Sequence, residues 1–265
     1  DFLRPAPTSF GGILRQIGPG LIITANIVGS GELIVTPKLG ASVGFTLLWF
    51  IILGCVLKVF IQVELGRFAL ARGLTTLETM NLVPGPRVVV SWLLWLWLLM
   101  FLATVFQVAG MVGGLASILS LAGVTLAKST VAVLIGAVTA LLLVIGRYKL
   151  VEVVSTAMVV AFTLCTMVAV IALQFTSYAI TPHDLAVGLG FRLPPSFTVA
   201  FAAFGIIGVG ASELIYYPYW CIEKGYARNV GPANATPEWA GRARGWMRVL
   251  RADAWVSCLV YTSAT

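Results

Sequence analysis

The chain has 265 residues, 59% of them apolar and only 10% charged, with a formal net charge of +7 and a mean hydropathy of +0.99. A soluble domain carries about 25% charged residues, so the composition excludes one and describes an integral membrane protein. The positive charge does not indicate nucleic acid, because the basic residues sit in short connections between apolar runs, without interleaved aromatics.

A helix needs about 20 apolar residues to cross the bilayer core. That rule predicts spans near 17–43, 46–71, 88–120, 129–146, 150–174 and 197–225, with a seventh beginning near 247. Pro84-Gly85-Pro86, Arg147-Tyr148-Lys149 and Pro194-Pro195 punctuate the third, fifth and sixth. The segment 226–246 reads as a polar loop. The chain opens on Asp1 and stops at Thr265 inside an apolar run, so it is expected to be a fragment of a longer protein: one transmembrane domain over 1–265.

Alternate connections differ in charge. Arg4, Arg15, Arg67, Arg72, Arg87, Arg147, Lys149, Lys224, Arg228, Arg242, Arg244, Arg248 and Arg251 fall on one side, and only Lys38, Lys128 and Arg192 on the other. Basic residues favour the cytoplasmic face, so the amino end is expected inside, in a plasma membrane or bacterial inner membrane. Cys55, Cys165, Cys221 and Cys258 are widely spaced, with no CxxC pair, and read as free thiols.

Spans one and six would cross in opposite directions, yet they share a pattern: VGSGELIVTP at 28–37 and VGASELIYYP at 209–218. Each puts a glutamate, Glu32 or Glu213, near mid-span, where a bare carboxylate costs at least about 2.5 kcal/mol. Gly29, Ser30 and Gly31, and Gly208, Gly210 and Ser212, weaken the helix just before it. Pro37 and Pro218 lack the N–H that a helix would donate to the carbonyl four residues earlier, of Leu33 and Leu214. Non-helical backbone at membrane depth is tolerated only where it is buried in protein or lines a cavity, and paired broken helices point to a transporter's midplane site. Carboxylates beside free carbonyls suit a hard cation. Close helix packing through small residues is the plainer alternative.

GPGLIITANIVGSGELIVTPKLGASVGFTLLWFIILGCVLKVFIQVELGRFALARG (18–73) resembles the opening two helices of the Nramp (natural resistance-associated macrophage protein) divalent-metal transporters. RYKLVEVVSTAM (147–158) is similar to the entry of that family's fifth helix, with Glu152 at its glutamate, and FAAFGIIGVGASELIYYPYW (201–220) to its sixth. The resemblance implies an all-α membrane protein of the LeuT-like inverted-repeat fold. Residues 17–174 would form the first five-helix repeat and 197–265 the start of the second, with helices 1 and 6 discontinuous. The family's ligand residues are replaced. Its Asp-Pro-Gly-Asn falls on Gly29-Ser30-Gly31-Glu32, and its Met-Pro-His on Ser212-Glu213-Leu214. Acidic positions of its third helix fall on Thr104 and Gln107. Loss of the sulfur removes a preference for softer metals and favours Mg²⁺, Ca²⁺ or Mn²⁺.

The expected activity is secondary transport of a divalent cation, coupled to protons, with Glu32 and Glu213 as metal ligands. Gly29, Ser30, Gly210 and Ser212 would assist. Asn26, Lys58, Thr104 and Gln107 are supporting or coupling residues, and Thr24 could add a neutral oxygen. Lys58 lies mid-span and is expected either to reach an interface or to pair with Glu32, Glu213 or Glu64. Glu64, three residues before Arg67, reads by default as that residue's partner. His183, the only histidine, reads as a solvated loop side chain in TPHD, and Trp92, Trp95 and Trp97 as an interfacial belt. No resident cofactor and no enzyme motif is present. A cation-coupled symporter of a small organic solute such as an amino acid is one alternative, separated by testing which solute stimulates flux. A non-transporting membrane scaffold or sensor is another, separated by whether any cation shifts the melting temperature.

Overall fold

The computed structural model describes residues 3–28, 35–146, 148–192, 197–234 and 236–264. Among these the chain is helical except for one hairpin of two short strands. It divides into two compact units, residues 1–76 with 152–265, and residues 77–151.

The first unit is built around α4 (Leu48–Arg72), 25 residues ending at Gly73 in the left-handed conformation, φ 67°. Cys55, Val59, Gln62, Gly66 and Leu70 recur every three to four residues along one face of α4, and all are buried. Against that face pack α13 (Pro237–Ala264) and α11 (Ala211–Glu223). The beginning of α2 (Pro19–Ile27) packs on α13 in turn. Glycine permits one close approach: a Cβ on Gly66 would stand 2.8 Å from Leu250 Cδ1 and 3.0 Å from Tyr217 Cε1. Shorter helices complete the unit: α1 (Phe10–Leu14), α3 (Val35–Val43), α9 (Pro182–Gly188), α10 (Phe197–Ile206) and α12 (Tyr226–Val230). Most of α8 (Tyr148–Leu173) belongs here too.

The second unit holds most of α5 (Thr76–Asn81), then β1 (Arg87–Val88) paired antiparallel with β2 (Val90–Ser91). The packed pair α6 (Trp92–Leu121) and α7 (Lys128–Ile145) follows. Ala116 is the buried residue of α6 and Val131 that of α7; most of their other apolar side chains are exposed, and the rest, such as Leu93, Leu94 and Trp97, are half-buried. A helix apolar all round is built for lipid or for a larger protein interior. Four described helices, α4, α6, α7 and α8, are long and apolar enough to cross a membrane. The protein is a multi-pass, all-α integral membrane protein.

One expectation fails. Most of the stretch 226–246 is helical rather than a polar loop: α12 takes its start and the first turns of α13 its end. Thr236 accepts from the Trp239 N–H at 3.3 Å, and Pro237 fills the first helical position, a standard helix start. Trp239, Ala243, Trp246, Val249 and Leu250 then face the core at helical spacing. Arg244 and Arg248 between them are exposed, while Arg242 is half-buried and donates to the Val230 carbonyl at 3.1 Å; their charge hid an amphipathic helix.

Candidate functional site

The sixth apolar span is interrupted. Helix α10 ends at Ile206, and α11 starts at Ala211. Between them Gly208 adopts φ +69°, a conformation in which any other residue is strained. A Cβ there would also stand 2.8 Å from Cys55 Sγ on α4. Gly210 is the N-cap of α11, and Glu213 sits in the first turn. Pro218 lies inside α11 without ending it. The interruption is therefore set by the glycines before the glutamate, not by the proline after it.

Glu213 is 8% exposed. Its carboxylate folds back over the N-terminus of α11, into the space a Cβ on Gly210 would occupy. The positive end of the helix dipole favours a negative charge at that place. Asn26 Nδ2, from the last turn of α2, donates to Oε1 at 2.6 Å, and Ser212 Oγ donates to Oε2 at 2.8 Å. Asn26, Ser212, Glu213 and the Gly210 backbone are thus brought together. Gly29, Ser30 and Glu32 lie outside the described residues.

Lys58 is 5% exposed and serves the other side of the interruption. Its ammonium donates to the carbonyl of Phe204 and, at 2.7 Å, to that of Ile207. It also lies 4.8 Å from the centre of the Phe204 ring. Glu64, one of its expected partners, instead holds Arg67 in an exposed pair. Thr24 returns its hydroxyl to the Gly20 carbonyl of its own helix. Thr104 and Gln107 lie on α6, in the second unit; Thr104 donates to the Met100 carbonyl, and Gln107 is exposed. His183 is exposed in α9.

Sequence reasoning gave no place in the site to Asp253, Lys224 or Gln62. Asp253 on α13 is 1% exposed; Gly18 N donates to its Oδ1 at 2.8 Å, Gly20 N to its Oδ2 at 2.7 Å, and Tyr217 Oη to its Oδ2 at 2.9 Å. One carboxylate thereby satisfies the orphan N–H groups at the start of α2 and ties them to α11. Lys224 pairs with Glu152 beside Gly18, where any side chain would collide with the Glu152 carboxylate. Gln62 follows Lys58 by one turn of α4, wholly buried, and neither its amide oxygen nor its nitrogen has a hydrogen-bond partner among the described residues. The available signal was Asp253 itself, an acid inside a predicted span, which is a functional or structural marker by default.

Among the described residues no three His, Cys, Asp or Glu side chains converge as a metal cluster. The groups gathered at Glu213 are one carboxylate, the N–H side of one amide and one hydroxyl; their oxygens are hard donors, of the kind that suit a hard cation rather than zinc or copper. An apolar cavity of about 260 Å³ lies elsewhere, between α3 and the start of α4, walled by Leu39, Phe45, Leu47, Leu48 and Ile51 among others, with no charged lining residue.

Residues 20–236 match the family model described as natural resistance-associated macrophage protein-like. Neither the curated proteins nor the solved structures yield a match.

Proposed function

The chain belongs to the Nramp family of membrane transporters, which are not enzymes, and on that footing we propose that it carries a divalent cation across the membrane through the interruption at 207–210. The observation that carries this reading is Glu213. A carboxylate almost closed off from solvent, in the first turn of a helix restarting inside an apolar span, is costly unless it has a use. Its two neighbours supply oxygen as well as hydrogen bonds: the amides and hydroxyls of Asn26 and Ser212 can turn their oxygens toward a cation.

The architecture of this reading is the inverted repeat, with 17–174 as the first repeat, 197–265 as the start of the second, and alternating access about spans one and six. Glu32 completes the ligand set as the second carboxylate. Gly29, Ser30 and Gly210 contribute backbone or hydroxyl oxygen, and Gln62 offers an uncommitted amide. Mg²⁺, Ca²⁺ and Mn²⁺ fit all-oxygen ligands, and a proton on one of the two glutamates is the natural coupling device.

Calorimetric titration of the full-length protein with Mg²⁺, Ca²⁺, Mn²⁺ and Zn²⁺ tests it. Glu213→Gln is expected to weaken binding of the preferred cation by about 100-fold, near 2.7 kcal/mol. The Glu32→Gln, Glu213→Gln double variant is expected to abolish it. Equal binding by wild type and double variant rejects the assignment. Flux into proteoliposomes driven by an amino acid rather than a metal rejects the substrate class.

A further inference from the structure

A second feature of the interruption has its own chemistry. Three positions on one face of α4 grip it. Gly54 leaves room for the Phe204 ring, which a Cβ there would meet at 3.1 Å. Cys55 lies against Gly208. Lys58 reaches the carbonyls of Phe204 and Ile207. The Phe204 carbonyl belongs to the last turn of α10 and that of Ile207 follows the helix directly, at the end where the dipole is negative.

We propose that the Phe204 and Ile207 carbonyls form a monovalent-cation site, and that the chain fills it permanently with its own Lys58 ammonium. Backbone carbonyls around a dehydrated ion, with an aromatic face beside them, make a binding set for a cation of single charge. A neutral amide side chain could satisfy both carbonyls by hydrogen bonding alone. A lysine 5% exposed brings a charge that is expensive to bury unless the surroundings use it. The surroundings here do: two carbonyl dipoles at a helix C-terminus and a ring face all point negative potential at the ammonium. A void of about 10 Å³ lined by Phe50, Ile51, Gly54, Phe204 and Ile207 shares two residues, Phe204 and Ile207, with this site, and cutting back the side chain vacates the ammonium's own place.

The consequence for transport is a division of labour. The substrate cation belongs to the Glu213 side, while the α10 side needs no sodium or potassium from solution because its cation is covalently supplied. The inference rests on the same interruption as the proposed function, but its test uses no divalent ion, so either can fail alone.

The test is thermal unfolding of the full-length protein in detergent, at constant ionic strength. N-methylglucamine, too bulky for the site, serves as sole cation and is then replaced by Na⁺, K⁺ or propylammonium. The wild type is expected to melt at one temperature in all four. Lys58→Ala is expected to lose about 5 °C or more in N-methylglucamine. At least half of the loss should return with propylammonium, which restores the missing part of the side chain, or with an alkali cation, but not with neutral propanol. A Lys58→Ala protein as stable as wild type in N-methylglucamine, or a loss that no small cation reverses, overturns the proposal. Lys58→Arg and Lys58→Gln decide the matter should the alanine variant not fold. Arginine near wild type with glutamine impaired supports a charge requirement. Glutamine equal to wild type, or arginine failing with alanine, overturns it.

Discussion

Helix α4 and the span running from α10 to α11 both carry glycines and buried polar groups at membrane depth, yet one is continuous and the other interrupted. Gly54 and Gly66 stay inside α4, each making room for a neighbour: Phe204 at one, Leu250 and Tyr217 at the other. Gly208 turns left-handed and the helix stops. A glycine in an apolar helix therefore marks close approach as readily as a break, and the two are separated by what holds the chain on either side. The interrupted span has separate anchors. Its first half is held by Lys58, and its second by Tyr217 on Asp253 and by the Thr76 hydroxyl on the Ile215 carbonyl at 2.8 Å. The continuous helix supplies the cation that the interrupted one needs.

The anchors give the sharpest ways to test that contrast. Asp253→Ala should have the largest effect, because it strips the partner from two backbone N–H groups and a buried tyrosine at once. A loss of roughly 3 kcal/mol is expected in unfolding of the full-length protein. A variant melting like wild type would mean that α2 and α11 are held together by something else.

The glycines come next. Gly208→Ala should cost about 1–2 kcal/mol for the left-handed backbone, with a further penalty from the Cys55 thiol. Adding Cys55→Ala should return only the second part. Gly54→Ala, already helical, gains about 1 kcal/mol of propensity against crowding of Phe204, and should fall near zero. Equal costs at 54 and 208 would erase the distinction drawn between the two spans.

The smallest effect lies outside the membrane helices. At the start of α9, Asp184 Oδ2 accepts from the Thr181 hydroxyl at 2.6 Å and the Thr181 N–H at 2.9 Å, which hold its carboxyl below the usual aspartate range. Because the folded state lowers this pKa, its contribution is complete above the ordinary aspartate value, about 3.9, and is lost as pH falls through the lowered one. Amide exchange across 184–188 should speed up over that acid window in wild type, and show no such step in Asp184→Asn.

Much of the site could be read from particular residues. The glycines at 208 and 210 forecast the interruption, and Glu213 its carboxylate, because both signals are local: backbone permissiveness and a charge out of place in an apolar run. Asp253 was hidden for a different reason. Its partners Gly18 and Gly20 lie 235 and 233 residues away, and the arginine-rich approach to it disguised a helix as a loop. Lys58 was recognised as mid-span, but acids were weighed as its partners. Two of its acceptors are the backbone carbonyls of Phe204 and Ile207, which every residue possesses and no sequence pattern advertises.

By itself, the order of amino acids determined that this chain lives in a membrane, where its spans fall and where one of them yields, since apolar length and glycine content act within a single helix. Only the folded arrangement decided which charges meet. A buried ion must find its partner across helices distant in the chain, and that choice follows from packing geometry rather than from neighbours in sequence.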